Sequence, residues 1–173
     1  TRTLEHNIGS IKQNLIQNYD TDIFIHLSEE EEKKDKYWNK EISLDFIKRE
    51  LNPKIIVFGK DKKFSDNNSV RNHWYKFYQL NKIRKEFSRD YDIVIKLRPD
   101  TYFHQKINYH TNNNVIYLPD DSKVDSKKLE NNNFICDIFA YGSEKSMNEY
   151  FQIYEFLDEI IEGKITIPEN IIS

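Results

Sequence analysis

Tyr91-Asp-Ile-Val-Ile-Lys-Leu-Arg-Pro-Asp100 is the stretch on which the reading of this chain turns. Residues 91–97 are almost continuously apolar, as expected of a strand at the centre of a parallel sheet, covered on both faces. Pro99 has no N–H to give to a ladder and so ends the strand sharply. Arg98 and Asp100, on either side of it, are thereby presented at the strand's carboxyl end. In open α/β sheets ligands bind beyond such ends. A guanidinium suits phosphate oxygens, and a carboxylate suits a metal or a sugar hydroxyl. A surface Arg–Asp pair at a turn fits the same three residues equally well.

Working outward, Asp22-Ile-Phe-Ile-His-Leu27 and Lys54-Ile-Ile-Val-Phe58 read as two more short buried strands. Between them Ser43 can cap a helix that Asn52-Pro53 ends. An earlier helix is expected over residues 9–18, with Ile11, Leu15 and Ile16 on one side. A long helix is expected over residues 68–87, its apolar Trp74, Phe77, Tyr78, Ile83 and Phe87 largely on one face. Val115 to Leu118 and Phe134 to Tyr141 complete the strands. Ser143 then caps a last helix reaching about Glu162, with Gly163 placed as its C′ residue. Alternating strands and helices of this kind argue for one α/β domain over residues 1–173, built on a mostly parallel sheet with helices on both faces.

Bulk properties narrow the function. A chain of 173 residues is the length of one domain, and 14% aromatic residues can supply its core despite a mean hydropathy of -0.81. The 26 basic residues are outnumbered by 29 acidic ones. A nucleic-acid binder carries a basic excess on at least one face, so a nucleic-acid partner is not expected. Cys136 is alone, which excludes an intrachain disulfide and a thiolate zinc cluster and fits a reducing, cytoplasmic setting. No apolar run approaches the roughly 18 residues that span a bilayer. The four glycines permit neither a Walker A loop nor a G-x-G-x-x-G turn. Phosphates, if bound, must be met by side chains, a metal or a helix N-terminus.

Other groups have weaker claims. Asp20-Thr-Asp22 spells D-x-D, a spacing that can grip a divalent metal. It precedes its strand, however, and reads better as a polar turn. Asp137 stands among Phe134, Ile135, Ile138 and Phe139, where burial would raise its pKa as a general base requires; an Asp facing solvent on an edge strand competes with that reading. The amides before the Ser143 helix offer an anion site, although most helix starts hold only their cap. The five histidines form no ligand pair, although His104 and His110 flank a strand-like stretch that can bring them together. Trp74-Tyr75 and Tyr102-Phe103 are most simply core.

Taken in order, five segments resemble the small GT-A-type glycosyltransferases of large DNA viruses and bacterial surface-polysaccharide clusters. They are Thr1-Arg-Thr3, Asp20 to Leu27, Lys76-Phe-Tyr-Gln-Leu-Asn-Lys82, Tyr91 to Asp100, and Asp137-Ile-Phe-Ala-Tyr-Gly-Ser143; Pro168-Glu169 resembles a recurring late Pro-Glu. The likeness spans nearly the whole chain, and it lies in order and spacing more than in any one motif. It implies a GT-A-like (Rossmann-type) fold and transfer of a sugar from a nucleotide-diphosphate donor to a hydroxyl on a glycan or protein, in the host-cell cytoplasm if the chain is viral. The family's first strand is expected to precede Thr1. By position, Arg2 would contact the donor nucleotide or diphosphate. Arg98-Pro99-Asp100 would replace the metal-binding D-x-D, with Asp100 as the surviving carboxylate for Mn²⁺ or Mg²⁺ and Arg98 standing in for part of the metal's charge. Asp137 would be the base if the enzyme inverts, and Glu169 would lie near the rim. Two rivals remain. One is a metal-dependent nuclease built on Pro99-Asp100 with Asp121 and Lys123, and the other a non-catalytic, transferase-like sugar-binding domain.

Overall fold

A computed structural model describes residues 4–17, 19–28, 44–59, 69–87, 89–110, 112, 114–119 and 138–161. Their contacts fall into two compact units. The first comprises Thr1–Phe87 and Pro99–Asn108, the second Ser88–Arg98 and Tyr109–Ser173, so the chain passes between them three times. Together they make a mixed α/β protein. Among the described residues no helix is long and apolar enough to cross a membrane.

The first unit begins with helix α1 (Leu4–Ile11), which widens into a single π-helical turn over Lys12–Ile16. The wide turn is closed by the Gln17 N–H donating to Lys12 O at 2.8 Å, five residues back. The helix starts five residues earlier than residues 9–18 would give. Leu4, Ile8, Ile11 and Leu15 recur at helical spacing and are all buried, whereas Ile16 is only half-buried. Asn7, Ser10 and Asn14 form a second buried line beside them.

Strands β1 (Phe24–Ser28) and β2 (Ile55–Gly59) pair in parallel, Phe24 opposite Ile55 through Ser28 opposite Gly59. A parallel pair needs a crossover, and helix α2 (Leu44–Leu51) supplies it, anchored by Ile47, which is almost wholly buried. The helix ends where the sequence says it must. Asn52 turns to φ 43°, its N–H donates to Lys48 O at 3.0 Å, and Pro53 follows. Helix α3 (Ser69–Glu86) packs on β1, and the rings of Phe24 and Phe87 meet edge-on at 5.3 Å. Its most buried side chains are Trp74, Asn81 and Arg84, so the inward face is partly polar. The Arg84 guanidinium donates twice to Asn81 Oδ1, at 3.2 and 3.0 Å, which pairs two of its N–H groups inside the unit.

In the second unit β3 (Val94–Leu97), β4 (Ile116–Tyr117) and β5 (Phe139–Gly142) form an antiparallel sheet in the order β3-β5-β4. This corrects the parallel surroundings expected of residues 91–97, since β3 runs against β5, Val94 opposite Gly142 and Leu97 opposite Phe139. The cause is plain in the burial. Val94 and Lys96, which share a face, are buried, and Ile95 and Leu97 on the other face are half-buried. A strand covered on both faces reads as continuously apolar whatever direction its neighbour runs. Helix α4 (Glu144–Gln152) packs on all three strands and passes through a 3₁₀ turn (Ile153–Phe156) into α5 (Leu157–Ile161). Ser143 caps α4 as expected, its Oγ accepting from the Ser146 N–H at 3.2 Å. The far end expected at Glu162 and Gly163 lies outside the described residues. Beneath Tyr141 and Phe139, the Tyr117 ring stacks on Tyr141 at 4.7 Å and the Tyr109 ring meets it edge-on at 5.1 Å.

Candidate functional site

The β3–β5 ladder continues one residue past the last paired position, with the Arg98 N–H donating to Ile138 O at 2.9 Å. Arg98, half-buried, is the last residue of the second unit in this part of the chain, and Pro99 is the first of the next segment of the other. Proline stops the ladder as its chemistry requires, and Pro99-Asp100 forms a turn that leaves Asp100 exposed. Of the remaining expected site residues, Arg2, Asp137 and Glu169 lie outside the described residues, as do Asp121 and Lys123 of the nuclease reading. Ile138, which follows Asp137 in the sequence, is the residue that accepts from Arg98.

From Pro99 to Asn108 the chain carries neither helix nor strand, yet α1 and its wide turn hold it at four points. Asn7 Nδ2 donates to Pro99 O at 3.4 Å. The Phe103 N–H donates to Ser10 Oγ at 3.2 Å, and Asn14 Nδ2 donates to Phe103 O at 2.9 Å. The Ile107 N–H reaches Asn14 O at 3.5 Å. Asn7, Ser10 and Asn14 were not singled out in the sequence. The available signal is their i, i+3, i+7 spacing beside an apolar stripe, which puts three short polar groups on one helix face. Thr101 Oγ1, on the same segment, is buried with no hydrogen-bond partner among the described residues.

Tyr102, expected in the core, is instead 55% exposed, its ring edge-on to His104 at 5.0 Å. Trp74 is core as expected, only 1% exposed. His104 and His110 each meet an aromatic ring of their own, Tyr102 and Tyr117 respectively. Among the described residues no three His, Cys, Asp or Glu side chains are grouped to hold a metal.

The D-x-D spelled by Asp20-Thr-Asp22 has a structural use. It leads into the amino end of β1, where the Asp22 carboxylate, 6% exposed, takes an ion pair from Lys54 Nζ at 3.4 Å. The Lys54 N–H donates to Ile23 O at 2.8 Å beside it. Backbone and side chain of Lys54 together pin the starts of the two parallel strands. The start of α4 is likewise occupied. Ser143 Oγ fills the cap, and the Glu144 carboxylate accepts from the Tyr91 N–H at 3.0 Å. The cap is thus taken by Ser143, and Glu144 in the first turn holds the lead-in to β3.

Compared with known proteins, the chain matches no family model, no curated protein and no solved structure, and the reading of its site rests on its own residues.

Proposed function

We propose that the chain is a glycosyltransferase that moves a sugar from a nucleotide-diphosphate sugar to a hydroxyl of a glycan or protein acceptor. One observation carries this reading. The backbone bond from Arg98 to Ile138 carries the β3–β5 ladder to Arg98 on one strand and to the residue after Asp137 on the other. That register supports Arg98 as a cation at a strand edge, and Asp137, next to Ile138 in the sequence, is the base proposed to act with it. The proposed fold is GT-A-like, and the parallel β1–β2 pair with its α2 crossover is the part of such a sheet that the described residues support.

In the proposed transfer the bond between the anomeric carbon and the diphosphate oxygen breaks, its electron pair leaving with the diphosphate. The acceptor oxygen bonds to the anomeric carbon and gives its proton to the Asp137 carboxylate. Arg98, with Arg2, meets the charge that grows on the leaving group. Asp137 needs to be within hydrogen-bond reach of the acceptor hydroxyl. Mg²⁺ at such sites is held by one or two carboxylates and the substrate's own phosphates. An exposed Asp100 at a turn fits the role of that carboxylate, and a metal bound there neutralises the diphosphate.

The test is a panel of UDP- and GDP-sugars, with and without Mn²⁺, read by thermal shift and by release of nucleotide diphosphate to water. Asp100→Asn and Asp137→Asn are each expected to cut that release on the order of a hundredfold or more. Unchanged turnover in both variants would sink the site. A shift with oligonucleotides alone would instead favour the nuclease on Pro99-Asp100, Asp121 and Lys123.

A further inference from the structure

Three side chains of the first helix have no part in the chemistry above. Asn7, Ser10 and Asn14 are each at least nine-tenths buried. Burying an amide or hydroxyl is unfavourable unless its hydrogen bonds are made inside. All three are used on one target, the backbone that follows Arg98. Ser10 is used twice, its hydroxyl donating to Asn7 O at 3.0 Å within the helix and accepting from the Phe103 N–H.

We infer that Asn7 is a positioning residue for Asp100. The oxygen it holds belongs to the peptide joining Pro99 to Asp100. That peptide is a rigid plane containing Pro99 O, Asp100 N and Asp100 Cα. Restraining the oxygen restrains rotation of the plane about the Pro99 Cα–C bond, and the plane carries the carbon from which the Asp100 side chain departs. The proline ring restricts φ on the near side of the same plane. Three residues further on, Ser10 and Asn14 fasten both polar groups of Phe103. Asp100 is therefore an exposed carboxylate on a backbone bracketed at residues 99 and 103. A loop without helix or strand would otherwise let the Cα of Asp100 vary in position, and orientation is where much of the rate of a positioned reaction comes from.

The inference rests on the reading of Asp100 as the carboxylate facing the donor diphosphate, and its test separates the two. Asn7→Asp keeps the shape of the side chain but points an acceptor oxygen at Pro99 O, while Asn7→Ala removes the contact. Each is expected to lower kcat for UDP- or GDP-sugar hydrolysis on the order of tenfold to a hundredfold, with a smaller change in KM. Asn7→Gln, which keeps the donor, recovers part of the loss. In an Asp100→Asn background Asn7→Ala costs no further activity, because the two act as one. Asn14→Ala lowers Tm as much as Asn7→Ala but lowers kcat less, its partners lying beyond Asp100. Hydrogen exchange supplies a readout without turnover. Asn7→Ala speeds exchange of the Asp100 and Thr101 amides, and Ser10→Ala, which removes the acceptor of the Phe103 N–H, that of Phe103.

A wild-type chain that hydrolyses no donor would end the glycosyltransferase reading, and exchange at Asp100 would still decide the role of Asn7. Unchanged exchange there, full kcat in Asn7→Asp, or kcat losses in Asn7→Ala and Asn14→Ala that simply follow Tm would each overturn the inference.

Discussion

The two units are held together by different means. In the first, β1 and β2 are half-exposed over most of their length, and the Pro99–Asn108 segment is fastened by the amide and hydroxyl groups of Asn7, Ser10 and Asn14. In the second, all four residues of β5 are buried. Its order comes from volume: Ala140 and Met147 at 0% exposure, Tyr150 at 2%, and the Tyr109–Tyr141–Tyr117 ring cluster. Directional bonds and close packing fail differently. A hydrogen bond adds about 1 kcal/mol when made, but its buried partner costs about 1–3 kcal/mol when left alone. A packed site resists any change of volume and is tolerant of little else. The first unit is thus suited to fixing where a backbone lies, and the second to supplying the stable sheet from which Arg98 departs.

The comparison is broken or sharpened most strongly by emptying each core. Trp74→Ala in the first unit is expected to cost about 3–5 kcal/mol and Met147→Ala in the second about 2–5 kcal/mol, read as shifts of the urea midpoint. Amide exchange then shows where each lesion acts. Loss of protection in α3 for the first variant and in β5 for the second supports two separately stabilised units. Equal loss throughout from either variant would make them one cooperative body. A smaller effect is expected at Gly142, where a Cβ would come within 2.8 Å of the Val115 carbonyl oxygen. That neighbour is backbone and cannot swing aside, so Gly142→Ala is expected to cost about 1–3 kcal/mol. A Tm equal to wild type would show that β4 is free to shift away from β5.

The smallest effect concerns pH. Burial raises the Tyr141 phenol above its ordinary value of 10.0, the nearby Tyr117 adds to the rise, and a bond with the His110 backbone opposes it. The fold therefore favours the neutral phenol. Its contribution is complete below pH about 10 and is lost as pH climbs from there through the higher folded-state value. Tyr141→Phe has no such proton to lose, so its stability is expected to fall less steeply than that of wild type between pH about 9 and 11. Parallel slopes in urea titrations would show that the phenol does not sense the core.

Much of the first unit is legible residue by residue because its signals are local. Two short apolar runs give β1 and β2, Asn52-Pro53 ends α2, and Ser143 in the second unit opens α4 through its own hydroxyl. The direction of β3 is not legible, because an apolar run reports cover on both faces and not which way a neighbour runs. Asn7, Ser10 and Asn14 are not singled out by the sequence, since their partners lie about ninety positions away. Tyr102 reads as core because nothing in its neighbours announces that helix α1 fastens this segment by its backbone groups. Of the proposed site, Arg98 and Asp100 are picked out by Pro99 and the strand before it, whereas the groups that fasten Pro99 and Phe103 are found only from the fold.

The separation between Asn7 and Pro99, 92 positions, has a further consequence for how the protein is made. At roughly 5–20 residues per second of synthesis, the first helix leaves the ribosome on the order of ten seconds before the segment that satisfies its buried amides. Through that interval Asn7, Ser10 and Asn14 are bonded to water, while Leu4, Ile8, Ile11 and Leu15 beside them still await their cover. The polar line can make its final bonds only after Phe103 has been synthesised, so the loop is fastened late, on a helix made early.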